Sequence, residues 1–261
     1  MSSDDDRDVE AAAAAVIGPK LAGHLQLCER SFLVMSKALM ALPERTIKDT
    51  PQACRVCAGL LIKISNDLRT VALLALRGYP VQAATLTSSL YESAVTIGYI
   101  ADDNALAEAW IAHGGQDPLK PFRGVWEMTK QAVTRLSLPD SEVQTETLYR
   151  HYTQLCWAKH GNSAFLLDQT FQRIAGGVEG SNGPSTSDAA LRASSFALEQ
   201  AVRLVFLACA VFVQHHVPRS AQPPLVAEVN TIGAERQRFF NTDSIDRWAF
   251  EPVFSVRHAL R

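Results

Sequence analysis

The chain has 261 residues, 47% of them apolar and 20% charged, with 25 basic and 27 acidic side chains that leave a formal charge of −2. That balance excludes a disordered polyelectrolyte and gives no bulk charge to attract nucleic acid. A chain this long buries enough surface to fold without disulfides or a structural metal.

At the start, Asp4, Asp5, Asp6, Asp8 and Glu10 surround a single Arg7. An acidic opening is unlike a secretory signal, so the expectation is a protein that stays in the cytoplasm, with residues 1–10 as a disordered, solvated acidic tail. From Ala11, Leu21, Leu25, Cys28, Phe32, Met35 and Leu39 recur three and four apart, the spacing of one apolar helical stripe. Gly18-Pro19 is expected to divide this stretch into a leader and a main helix ending near Leu42-Pro43. Thr50-Pro51 and Gly78 bracket a helix over about 51–77, with Val56, Leu60, Ile64, Leu68, Val71 and Ala75 on its apolar face. Pro80 opens another, to about Ala101, and Asp102, Asp103 and Asn104 supply caps for a short helix from Ala105 to His113.

Two helices are predicted over Pro118–Ser137 and Asp140–His160, the second closed by Gly161-Asn162. Glycines and serines over 161–187 predict a long loop, with a short extended piece around Phe165–Phe171. Ser185–Ser187 cap a strong helix over about 188–217 that Pro218 ends. Helices over Pro224–Phe240 and Asp243–Phe250 complete the chain. No sustained period-two alternation occurs, so the fold class is all-α, an irregular multi-helix bundle of seven to eight helices over 11–220 with a helical extension, 221–261, packed on it. The longest apolar run, Leu204–Val213, is about half the length of a bilayer span, so no membrane partner is expected.

Between Arg77 and Asp102 the only formally charged side chain is Glu92. Thr85, Ser89, Glu92 and Thr96 form one polar stripe on this apolar helix, and the expectation is a buried carboxylate that needs a countercharge. Tyr149, Tyr152, Cys156 and His160, spaced three, four and four, share a face of the later helix. His160 lies in its last turn, where the helix dipole favours an imidazolium. A contact between Glu92 and His160 satisfies both groups, which makes them the candidate catalytic pair, with Tyr149, Tyr152, Cys156 and Asn162 as candidate binding residues.

The stretches Leu86–Ile100 and Tyr152–Asn162, with Gly183-Pro184, resemble an uncharacterised family of bacterial helical proteins. Its pattern is an Arg-Ser-Leu-x-Glu helix and a later Tyr-x-x-Leu-(Ser/Cys)-x-x-x-His-x-Asn helix end. The resemblance spans about residues 50–217 and implies a helical fold with Glu92 and His160 as polar positions. Ser88 stands where the pattern has arginine, so Glu92 takes its cation from elsewhere.

Five cysteines in helix-like contexts suit reduced thiols. Cys54-Arg-Val-Cys57 has no second pair to complete a zinc site, and His113 and His215-His216 read as helix caps, so neither metal nor cofactor is expected. Gly176-Gly177-Val-Glu-Gly180 lacks the lysine of a phosphate loop. The functional expectation is a binding or self-associating module with Trp110, Trp126, Trp157 and Trp248 as available anchors. The alternative is a ribonuclease of the toxin or phage-defence type using His160 as acid/base, although none of the eighteen arginines precedes a histidine at the spacing such enzymes use.

Overall fold

The computed structural model describes residues 3–43, 48–116, 122–137, 140–162, 171–174, 177–180 and 183–239. In chain order the helices are α1 (Ser3–Met40), α2 (Gln52–Leu76), α3 (Pro80–Ile100), α4 (Asn104–Gln116), α5 (Val125–Arg135), α6 (Ser141–Lys159), α7 (Asp188–His216) and α8 (Gln222–Phe239). The protein is all-α, a multi-helix bundle.

Helix α3 forms its axis because it carries almost no charge: fifteen of its twenty-one residues are buried. It packs against α2, α5, α6 and α7, while α1 covers α2 and α7, and α8 lies on α1 and α7. At Gly98 the α3 backbone approaches α5 so closely that a Cβ there would sit 2.2 Å from the Cβ of Ala132. Gly78 closes α2 at φ 82°, and an added Cβ would meet the Ser185 backbone at 3.0 Å. Helix α7 starts at Ser187, whose side chain accepts from the Ala190 N–H at 3.1 Å. By length and hydropathy α7 could cross a membrane, but 83% of that window is buried against the rest of the fold.

Several expectations need correction. Residues 1–10 are not a solvated tail throughout: helix α1 begins at Ser3, and Glu10 is held by the Arg77 guanidinium and by the Tyr79 hydroxyl at 3.0 Å. Gly18-Pro19 does not break α1. Pro19 and Ala15 face solvent, so the carbonyl that loses its partner is open to hydration, while buried Ala13, Ile17 and Leu21 carry the core stripe past the proline. Pro51 precedes α2 instead of opening it, and α5 starts at Val125, after Gly124. Within the stretch expected to be loop, Phe171–Ile174 and Gly177–Gly180 pair antiparallel, with Phe171 opposite Gly180. The helix expected over 243–250 lies outside the described residues.

Candidate binding site

The α3–α6 seam brings together most of the residues singled out by spacing. Along α3 the stripe of Thr85, Ser89 and Glu92 forms the part-exposed edge of an otherwise buried helix. The Thr85 and Thr96 hydroxyls donate to carbonyls of their own helix, at 2.9 and 2.7 Å, and Ser89 accepts from Lys63 at 3.1 Å. Glu92 therefore reaches the rim: its side chain is 38% exposed, which overturns the expectation of a sunken carboxylate. A helix buried on most of its circumference still has an edge, and its polar stripe occupies that edge.

The countercharge comes from another helix, but from a different residue than expected. Tyr152 donates to Glu92 Oε1 at 2.9 Å and Lys159 donates to the same oxygen at 3.2 Å. His160 is the C-cap of α6, exposed, and its ring makes no hydrogen bond or ion pair among the described residues. The Glu92–His160 contact is thus absent among the described residues, and the residue before the histidine takes its place. The geometry is helical: Lys159 lies seven residues beyond Tyr152, two turns along the same side, whereas His160 has rotated off it. Ser88, at the position where the family pattern has arginine, is fully buried and donates to Thr85 O at 2.7 Å.

Around this pair runs a ladder of rings. Tyr91 and Tyr152 lie 4.7 Å apart, Tyr152 and Tyr149 5.9 Å, and Tyr149 meets the Trp126 ring edge-on at 5.1 Å. Tyr91 is buried and shares a 2.8 Å hydrogen bond with Thr129, whereas Trp126 at the outer end is 42% exposed. Burial raises the pKa of both the Tyr152 phenol and the Cys156 thiol; the neighbouring Lys159 works against it at Cys156 and Glu92 works with it. Neither group is primed as a nucleophile at neutral pH. Asn162 lies just past the helix end, exposed, its backbone N–H on Trp157 O at 2.9 Å.

A second polar cluster was not anticipated. His151 is 2% exposed, and its Nδ1 lies 3.3 Å from Arg203 Nη1; Arg203 Nη2 donates to Gln144 Oε1 at 3.0 Å. Glu199, 4% exposed, sits 3.5 Å from Arg236 of α8. Burial, aided by the charges of Arg203 and Arg150, pushes the His151 imidazole down to about 3, with the Gln200 side chain opposing them. Burial pushes Glu199 up to about 7 against the pull of Arg236 and Arg203. In this cluster two donors or ring nitrogens, His151 Nε2 and Gln200 Nε2, and two acceptors, Gln154 Oε1 and Glu199 Oε1, have no hydrogen-bond partner among the described residues. The sequence held the signal: His151 falls in the buried α6 series Leu148, His151, Leu155, and Glu199, Gln200 and Arg203 interrupt the apolar α7.

Among the described residues no group of three or more His, Cys, Asp or Glu is placed to hold a metal ion. None of the five cysteines is joined in a disulfide. Comparison with family models, with curated proteins and with solved structures finds no match for this chain.

Proposed function

We propose that the chain is a helical binding module that associates with a second copy of itself through the aromatic face of α5 and α6. The observation that carries this reading is Trp126: a large ring left 42% exposed, yet positioned edge-on against Tyr149. An aromatic anchor held rigid before binding loses little entropy on association. Trp110 and Trp157, by contrast, pack against the core. Lys159 and Glu92 add one base and one acid beside the rings. The two are already paired with each other, so this face brings no unpaired charge against a second copy of itself. A reducing compartment, the cytoplasm, suits five cysteines that form no disulfide.

Sedimentation velocity of the full chain over about 1–100 μM tests the reading, a range that brackets micromolar association. The expected result is a concentration-dependent dimer that Trp126→Ala and Tyr149→Ala convert to monomer. A chain that stays monomeric throughout, or a dimer indifferent to both substitutions, overturns it.

A further inference from the structure

The turn from α3 into α4 passes through Ala101, fully buried at φ 44° and ψ −109°. There a Cβ crowds its own backbone, so the conformation favours glycine and is strained in alanine. The Ala101 N–H donates to Ile97 O at 2.8 Å and the Asp103 N–H to Ile100 O at 2.9 Å, which closes a four-residue turn. Strain of this kind persists only where surrounding contacts outweigh it. The Cys57 thiol of α2 donates to Ala101 O at 3.5 Å. Asp102 reaches Arg135 of α5 at 3.5 Å and His215 of α7 at 3.3 Å, contacts that hold the turn lightly because the carboxylate is 63% exposed.

Helix α4, which follows, is itself lightly held. It packs on α2 and α3, and of its thirteen residues Ala107 alone is buried. Leu106 and Trp110 rest partly buried against the core, and the His113 ring lies 5.6 Å from Phe122. At its start the Asn104 side chain accepts from the Ala53 N–H at 3.0 Å. This supplies the first turn of α2 with an acceptor that its own N-cap, Pro51, does not provide. At its end Gly114 and Gly115 are exposed, and nothing lies within 4 Å of where their Cβ atoms would stand. A thinly buried helix between a strained turn and a glycine pair has the anatomy of an element that moves before the core does.

We propose that α4 is a flap, which swings off α2 as a folded helix about Ala101 and Gly114-Gly115 while the rest of the bundle stays folded. Opening lets Ala101 relax to negative φ, so the strain of the turn favours the open form. The hydrogen bond from Ala53 to Asn104, the contacts of Asp102 and the narrow apolar face of α4 favour the closed one. The surface uncovered is the first turn of α2. This device stands apart from the aromatic face and does not depend on self-association.

The test is amide hydrogen exchange of the full chain at neutral pH, read residue by residue by NMR under conditions where the rate reports the opening equilibrium. The amides of residues 108–113 are expected to share one level of protection, about tenfold or more below that of the α3 amides. Ala101→Gly, which takes the strain out of the closed form, slows their exchange about fivefold. Asn104→Ala removes the acceptor for Ala53 and speeds it about fivefold, although alanine strengthens α4 as an isolated helix. Protection of α4 equal to that of α3 overturns the proposal, since the helix then opens only with the core. So does protection that falls away residue by residue toward the helix ends and ignores Ala101→Gly, the behaviour of simple fraying, or exchange that Asn104→Ala leaves unchanged or slows.

Discussion

Tyr152 donates its hydroxyl to Glu92 across the α3–α6 seam at 2.9 Å, and the carboxylate that receives it is 38% exposed. Partial exposure fixes the size of the interaction. Tyr152→Phe is expected to cost about 1 kcal/mol, the net worth of one hydrogen bond. Lys159→Met is expected to cost under about 0.5 kcal/mol, because a half-exposed ion pair is screened by water. Urea unfolding of the Tyr152→Phe, Lys159→Met and Glu92→Gln single variants and of the Tyr152→Phe, Glu92→Gln double variant measures both, and gives the coupling between tyrosine and carboxylate directly.

The close approach of α3 to α5 at Gly98 yields a stronger effect. Gly98→Ala places a methyl 2.2 Å from the Ala132 Cβ, so α3 and α5 must separate, at an expected cost of about 3 kcal/mol. Ala132→Gly alone should cost about 1 kcal/mol through helix propensity. In the double variant it should return part of the loss, because it removes the atom that clashes. A shift in urea midpoint for each of the three variants checks this.

Stability should depend on pH through the buried histidines. His151 is pushed down to about 3, and His24 and His216 to about 4, chiefly by burial. Their folded-state values lie below the unfolded value of about 6.5, so the stability they confer is complete above that pH and is lost as pH falls toward 3. His151→Gln should flatten the acid limb of a plot of unfolding free energy against pH. Glu199 acts in the opposite sense: raised to about 7, it favours the folded state when protonated, so its contribution falls as pH rises from 4.5 to 7. Relative to the parent, Glu199→Gln should therefore improve steadily across that interval.

The thiols divide by accessibility. Burial pushes Cys28, Cys57 and Cys209 up to about 12, and Cys54 is also buried; Cys156 alone is part-exposed. A colorimetric thiol reagent at pH 8 is expected to modify one cysteine slowly in the native chain and all five in denaturant. Cys156→Ser should abolish the native reaction.

Periodicity by itself determined the helices of this protein. The three-and-four spacing from Val56 to Ala75, the caps at Ser187 and Gly78, and the near absence of charge between Arg77 and Asp102 are local properties, and local properties suffice to make a helix and to choose which one is buried. Spacing also grouped Tyr149, Tyr152 and Cys156 on one face, since residues on a single helix have a fixed geometry. What tertiary structure decided was where each helix left an edge. Glu92 reaches water because the polar stripe of α3 is the edge its neighbours do not cover, and it meets Lys159 in place of His160 because one residue turns a side chain by about 100°. The cluster of His151, Glu199, Gln200, Arg203 and Arg236 draws on α6 and on the later helices α7 and α8. Polar residues interrupting an apolar helix mark such a place in the sequence, but only the packing of α6, α7 and α8 decides which of them meet.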